Sequence, residues 1–303
     1  MVIGYWLLVF KAIQLIDKQQ MTNNTQPITI REHSFNWGER TYLMGVLNVT
    51  PDSFSDGGEF NAPATALAQA QRLVEAGADI IDVGGQSTRP NAEQVSEGEE
   101  LNRVLPVVNQ LRSVLSVPIS VDTTRAVVAQ KAVEAGADMV NDISGGTFDP
   151  DMLPVVAQLS VPIVLMHIRG TPQTMQQLTK YQDLIGEIYE FLESRMAAAT
   201  SVGIKRSHLI IDPGIGFAKT AEQNWEILQQ LPRFRPLGVP ILVGPSRKSF
   251  IGRLLDRPNP KDRIWGTAAA CCGAIAGSAD ILRVHDVSEM RDVCRVADAI
   301  WRG

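Results

Sequence analysis

The chain has 303 residues, 45% of them hydrophobic, and a formal net charge of -5 at pH 7. That is enough apolar material for one large α/β barrel or two smaller domains, and an acidic balance without a Lys/Arg-rich stretch argues against nucleic acid as a partner. Three cysteines, Cys271, Cys272 and Cys294, form no CxxC or Cys/His cluster, which excludes a disulfide framework or structural zinc and fits a reducing cytoplasm.

Residues 1–16, MVIGYWLLVFKAIQLI, are apolar but shorter than the roughly 20 residues a membrane span needs. They also lack the basic start and small-residue cleavage site of a secretory leader. Polar DKQQMTNNTQ follows, and Met21 precedes a stretch that runs smoothly into the first strand. Residues 1–27 therefore read as an extension outside the fold, arising from an upstream start and without a membrane role. Next, ITIREHSFNWGERTYLMGV reads as a β-hairpin turning at Asn36 to Glu39 and capping the amino end of a barrel.

Eight apolar runs then alternate with helical patterns, the runs starting near residues 41, 79, 118, 139, 162, 209, 240 and 280. Helical stretches such as ATALAQAQRLVEA and GEELNRVLPVVNQLRSVL repeat apolar positions at three and four. Three junctions share one wording, EAGADIIDVGG, EAGADMVNDISGG and IAGSADILRVHD, in which Gly suits a left-handed helix cap. Three others, SVPISVD, SVPIVLMH and GVPILVGP, use Pro to end a helix and open a strand. Eight such units predict a (β/α)8 TIM barrel spanning residues 28–303 as a single domain. A doubly wound open sheet is the runner-up, weakened by the lack of GxGxxG or GxxxxGK[ST] after the first strand.

A parallel strand buried on both faces needs an apolar run, and the first residue free to be polar stands where the chain leaves the sheet. Asn48, Asp122, Asn141, Asp212, Arg283 and His285 occupy such positions, so the carboxyl rim is the expected active site. Two long, turn-rich loops, NVTPDSFSDGGEF and GGQSTRPNAEQVSEGE, follow the first two strands as expected lids or binding loops. Taken singly, each strand-end Asp is as readily a helix N-cap. Cys271 and Cys272, in an Ala-rich helix, read as packing, and Trp225, Trp265 and Trp301 as core or oligomer contacts. His33 and His208 fall at the far end of the barrel and read as structural.

The stretches MGVLNVTPDSFSDGG, DVGGQSTRP, ISVDTTR, MVNDISGG, MHIRGTP, IIDPGIGFAKT, VGPSRKSFIG and ILRVHDV follow in this order, and through them the chain resembles the dihydropteroate synthase family across residues 28–303. The resemblance implies a transferase of folate synthesis. It would join p-aminobenzoate to 6-hydroxymethyl-7,8-dihydropterin pyrophosphate through Mg2+-assisted loss of pyrophosphate, as a cytoplasmic homodimer with no membrane or nucleic-acid partner. It assigns the pterin pocket to Asp122, Asn141, Asp212 and Lys248, with Met166 and Phe217 as walls. Carboxylates suit the N-H edge of an aminopyrimidinone, and an amide or ammonium suits its ring acceptors.

By the same resemblance Arg283, His285 and Mg2+ hold the departing pyrophosphate, with Asn48 a metal ligand and Thr88 a diphosphate contact. Ser249, at a helix start, would receive the p-aminobenzoate carboxylate. Pro51 and Phe54 would wall its ring, and Asp56 would pair with Arg89 as two loops close, making Asp56, Arg89 and Lys248 part of the catalytic set. At the fifth strand end the family uses Met166 rather than the adjacent His167. One departure is Gln86 where Glu is usual, a change expected to act on the orientation of Arg89 or Asp56. Three rival readings are a pterin-binding methyltransferase, a non-catalytic pterin-binding barrel, and a Schiff-base aldolase using Lys248. The diphosphate grip, the lid motifs and the anion-binding neighbours of Lys248 weigh against them.

Overall fold

The computed structural model describes residues 25–50, 62–89 and 92–303. Most of the expected amino-terminal extension, together with Pro51, Phe54 and Asp56 of the first long loop, therefore lies outside the described residues. Two short strands, β1 (Ile28–Ile30) and β2 (His33–Phe35), pair antiparallel with Ile28 opposite Phe35. The expected hairpin is present, but it turns at Arg31 and Glu32, where Arg31 takes a left-handed φ of 56°. Asn36 to Glu39 form a separate turn, closed by the Glu39 amide on the Asn36 carbonyl at 3.3 Å, that feeds the chain into the barrel.

Eight parallel strands follow: β3 (Tyr42–Asn48), β4 (Ile80–Gly84), β5 (Ile119–Asp122), β6 (Met139–Asp142), β7 (Ile163–Met166), β8 (Leu209–Asp212), β9 (Leu242–Val243) and β10 (Ile281–Val284). They run in spatial order β8-β7-β6-β5-β4-β3-β10-β9. A parallel bridge between Ile211 and Ile241 joins the two ends, so the sheet closes and the open-sheet alternative fails. Outside it lie α1 (Ala62–Ala76), α2 (Glu97–Val114), α3 (Ala126–Glu134), α4 (Met152–Leu159), α5 (Leu184–Ser201), α6 (Ala221–Gln229), α7 (Ser249–Leu254), α8 (Ile264–Ala276) and α9 (Val287–Trp301).

The period-two alternation of each strand divides the core. Ile81 and Val83 of β4 pack outward against the helices, together with Leu43, Val104 and Leu111. Ile80 points into the barrel, where it meets Met44, Met139, Val164, Ile210, Leu242 and Ile281, with Ile28, Phe35 and Trp37 from the hairpin region closing the bottom. By the same alternation, Asp82 points inward one level above Ile80.

The two junction types do different work. In the first, Gly77 and Gly136 take φ values of 108° and 115°, but in the third repeat the left-handed residue is Ser278 at 70°, not Gly277. The Asp after each cap accepts a neighbouring strand's amide: Asp79 from Leu43 at 2.8 Å, Asp138 from Ile119 at 2.9 Å and Asp280 from Ile241 at 2.9 Å. In the second, the carbonyls of Pro118, Pro162 and Pro240 accept from Ile81, Val140 and Ile211. Cys271 and Cys294 are buried, whereas Cys272 is exposed and does not pack in the core. Consecutive helical residues lie about 100° apart, so one of the pair must leave the buried face. Among the described residues no helix is long and apolar enough to cross a membrane.

Candidate active site

Strand register brings Asn48, Gly84, Asp122 and Asn141 into one row at the carboxyl ends of β3, β4, β5 and β6, each opposite the next. Gly84 leaves room between its neighbours. A Cβ there would lie 3.5 Å from Asp122 Cβ, 3.6 Å from Asp122 Oδ2 and 3.7 Å from Asn48 Oδ1. The row is thus a set of oxygen and amide groups around a gap that any larger residue would fill.

One arginine organises the acids. Arg283 Nε donates to Asp82 Oδ2 at 2.6 Å and Nη2 to Asp122 Oδ2 at 2.7 Å. Asn141 Nδ2 also donates to Asp82 Oδ2, at 3.1 Å. Burial and the charges of Asp82, Glu100 and Asp142 push Asp122 up to about 7, against the opposing pull of Arg283. Burial pulls the other way on Arg283, but Asp82 and Asp122 together hold its guanidinium above the ordinary range. Asp82 Oδ1 and Asp122 Oδ1 are buried and have no hydrogen-bond partner among the described residues. An unpaired buried acceptor is costly unless a ligand or water completes it. Asp82 is absent from the expected site, although an acid inside the run IIDVG is itself a signal.

Asp212 closes the opposite side. Its Oδ1 accepts from the Gly214 amide at 2.7 Å, and burial raises its pKa against the pull of Lys248. Gly214 has φ 76°, and a Cβ there would come within 2.0 Å of the His167 carbonyl oxygen. Only glycine permits this turn. Lys248 donates to the Ile215 carbonyl and lies 4.6 Å above the Phe217 ring. Burial lowers it to about 8, partly offset by Asp212 and reinforced by Arg283. Met166 joins Ile143, Ile168, Met175, Phe148 and Phe217 in an apolar cluster on the same side.

His285 follows the end of β10. Its backbone amide donates to Ser246 Oγ at 3.2 Å, and its Nδ1 lies 3.0 Å from the same hydroxyl. Ser246 both accepts and donates if it gives its proton to Nδ1, which leaves Nε2 carrying the ring proton. Burial, then Arg283 and Arg247, lower His285 to about 3. Arg247 is held by Asp286, with Nε to Oδ2 at 2.9 Å. Ser246 was not among the expected residues.

Thr88 lines a small cleft with Gln86, Asp122, Phe148, Pro172 and Gln173. Arg89 is exposed and near enough to His285 to weaken its protonation. The expected partner of Arg89, Asp56, is outside the described residues. Gln86 bonds to backbone, not to the Arg89 side chain: Nε2 donates to Ser87 O at 3.3 Å and Glu93 O at 2.9 Å, and Oε1 accepts from Val95 N at 2.9 Å. Ser249 stands exposed at the first position of α7.

Other residues set aside by sequence take supporting places. His167 accepts or donates at Nδ1 with Lys219 Nζ at 3.0 Å and packs edge-on against Phe191. Burial, then Lys219 and Arg169, lower it to about 2. Lys219, itself buried and missed by sequence, also donates to the Phe217 carbonyl at 2.9 Å. Trp225 packs against Phe250, while Trp265 is 83% exposed and Trp301 is also exposed.

Among the described residues, no group of three or more His, Cys, Asp or Glu is placed to hold a metal ion. The oxygens of Asn48 and Asp122 around the Gly84 gap nevertheless suit a hard cation that keeps water or substrate oxygens as further ligands.

Residues 44–285 match the family model described as pterin binding enzyme. The chain is 61% identical over 276 residues to the dihydropteroate synthase of Synechocystis sp., covering 91% of this chain and 96% of that protein. It is similar to the dihydropteroate synthase from Clostridium difficile solved with pteroic acid (44% identity, TM-score 0.84, 89% and 100% of the two chains). It is similar also to that of Xanthomonas albilineans solved with 4-aminobenzoic acid (42% identity, TM-score 0.85, 91% and 98%). With matches of this extent to a fold and a rim already described, the chain belongs to the dihydropteroate synthase family of pterin-binding enzymes.

Proposed function

We propose that this mouth performs the family's transferase reaction in folate synthesis. It joins 6-hydroxymethyl-7,8-dihydropterin pyrophosphate and p-aminobenzoate to give 7,8-dihydropteroate and pyrophosphate. The observation that carries the reading is that Arg283 bonds to Asp82 and Asp122, Asn141 bonds to the same Asp82 oxygen and Asp212 lies within reach of the Arg283 charge, while Asp82 Oδ1 and Asp122 Oδ1 have no described partner.

Each group then has one task. Asp212 and Asp122 accept from the N-H edge of the pterin, Asn141 and Lys248 donate to its ring acceptors, and Met166 and Phe217 pack against its faces. Arg283 holds Asp82 and Asp122 in place and offers its remaining N-H groups and charge to the diphosphate. His285 adds its Nε2-H, and Thr88 a hydroxyl. As the carbon-oxygen bond breaks, the electron pair leaves with pyrophosphate, so donors already aimed there lower the barrier without reorganising. The lone pair of the aryl amine then forms the new carbon-nitrogen bond, and the amine proton passes to pyrophosphate or solvent. Mg2+, held by Asn48, would when bound add positive charge beside the leaving group. Ser249 receives the carboxylate of p-aminobenzoate, with Pro51 and Phe54 around its ring and Asp56 paired with Arg89.

We assign residues 28–303 to one domain, supported by the closed barrel and hairpin plug. A homodimer is supported by an apolar groove between α6, α7 and α8 beside exposed Leu254, Leu255 and Trp265. Three cysteines without a disulfide agree with a cytoplasmic protein.

The deciding experiment mixes purified protein with pterin pyrophosphate, p-aminobenzoate and Mg2+ and follows dihydropteroate and pyrophosphate in equal amounts. Isothermal titration adds a second criterion: pterin pyrophosphate with Mg2+ should bind far better than methyltetrahydrofolate. Absence of product together with the reverse binding order would replace this reading with a methyl-transfer one.

A further inference from the structure

The amide of Gln86 is used at both ends, and that carries a further role. Its Nε2 faces two backbone carbonyls, Ser87 at 3.3 Å and Glu93 at 2.9 Å, while Oε1 faces the Val95 amide at 2.9 Å. Val95 is gripped from its other side as well, because its carbonyl accepts from Arg125 Nη2 at 2.6 Å. Arg125 pairs with Glu100, which is buried and accepts from the Thr123 hydroxyl at 2.6 Å. Thr123 is the residue after Asp122. A chain of bonds therefore runs from the segment bearing Thr88 to the tip of β5, where Asp122 stands.

We propose that Gln86 is a positioning residue, a two-ended backbone clasp that fixes Thr88 and Arg89 relative to Asp122 and so sets the affinity of the mouth for pterin pyrophosphate. Only a side chain of this length with one donor and one acceptor satisfies both partners. A carboxylate at this position accepts from Val95 but faces the Glu93 and Ser87 carbonyls with a second acceptor, so both donor bonds are lost and a repulsion gained. A protonated carboxyl restores the donor. The consequence for catalysis rests on the condensation reading above, whereas the clasp itself does not.

The test compares the full-length chain with Gln86→Glu and Gln86→Met. Hydrogen exchange is followed on a peptide covering residues 92–96, and steady-state kinetics are measured from pH 8 down to pH 5. At pH 8, Gln86→Met should exchange the Val95 amide about tenfold faster, Gln86→Glu should keep that amide protected, and both should raise KM for pterin pyrophosphate about three- to tenfold, with kcat within about twofold. Relative to the unaltered chain at each pH, the KM effect of Gln86→Glu should shrink as pH falls and the carboxyl takes up its proton. Gln86→Met should show both effects equally at every pH. Unchanged exchange at Val95 in Gln86→Met overturns the clasp. Faster exchange with unchanged KM, or a Gln86→Glu defect that ignores pH, overturns the positioning role. If the unaltered chain forms no dihydropteroate, the condensation reading fails, and the exchange comparison still decides the clasp.

Discussion

The two ends of the barrel use the same residue types to opposite purpose. At the amino end, Asp79 meets Arg40 through both oxygens, Asp138 meets Arg31 and Arg112, and Asp280 meets Arg235. Each of these acids also accepts a strand amide, and the space between them is filled by aromatic and aliphatic side chains. At the carboxyl end Asp82 and Asp122 share one arginine, Asp212 has Lys248 nearby, and two carboxylate oxygens have no described partner. At the bottom each acid has an arginine of its own, although Asp280 Oδ1 too is without a hydrogen-bond partner among the described residues, whereas at the top two acids share one arginine. The bottom therefore serves stability, and the top gives up stability to bind and react.

The harshest way to break that comparison is to remove the one cation the upper acids share. Arg283→Met should lower turnover on the order of a thousandfold, because the leaving group loses a fixed donor. It should also destabilise the fold by about 3–5 kcal/mol, since two buried carboxylates lose their partner. Adding Asp82→Asn to that variant should recover much of the thermal stability and none of the activity, as thermal unfolding and product assays would record. Asp212→Ala comes next: turnover should fall about a hundredfold or more because a buried pterin edge is left unpaired. Its melting temperature should hold or rise, because a desolvated acid has been removed. Near-normal kinetics in Asp212→Ala would remove that residue from the pocket.

A gentler probe is pH. Asp122 is pushed up to about 7 by burial and neighbouring acids, and Lys248 down to about 8. Below about 7 Asp122 takes up a proton and loses its hold on Arg283. Above about 8 Lys248 loses the proton it donates to the ring. kcat/KM of the free enzyme should thus trace a narrow bell between these values, falling about tenfold per unit outside it. In Lys248→Arg the alkaline limb should disappear, whatever activity remains.

Much of this architecture was legible in the chain because a buried parallel strand advertises itself. Apolar runs located the eight strands, and the residues just past them, Asn48, Asp122, Asn141 and Asp212, arrive at one mouth for the reason the pattern implies. What escaped was polar chemistry inside an element or dependent on distant partners. Asp82 sits within IIDVG and counts as part of an apolar run until its period-two position shows it facing inward. Ser246 and Lys219 gain their roles only from His285 and His167, 39 and 52 residues away. The AD dipeptides of three junctions were visible as repeats, but a strand clamp needs the neighbouring strand's amide to be seen. Arg31, with no Gly or Asn to mark it, hid the true hairpin turn.

The smallest expected effect on activity comes from the end that should matter least to it. Phe35 is buried in the barrel floor, 5.5 Å from Trp37 and 4.8 Å from Tyr42 between ring centroids. Phe35→Ala removes most of that contact and leaves a cavity under Met44 and Ile80, which should cost about 3–5 kcal/mol of stability. The mouth lies at the opposite ends of the same strands, and the ladder between is pinned by the Asp and Pro acceptors of the junctions. At a temperature where the variant remains folded, kcat/KM should therefore stay within about twofold of the unaltered chain, while denaturant unfolding shows a lowered midpoint. A loss of activity matching the Asp212 variant in fully folded protein would mean that floor and mouth move as one unit. The division of labour between the two ends would then fail.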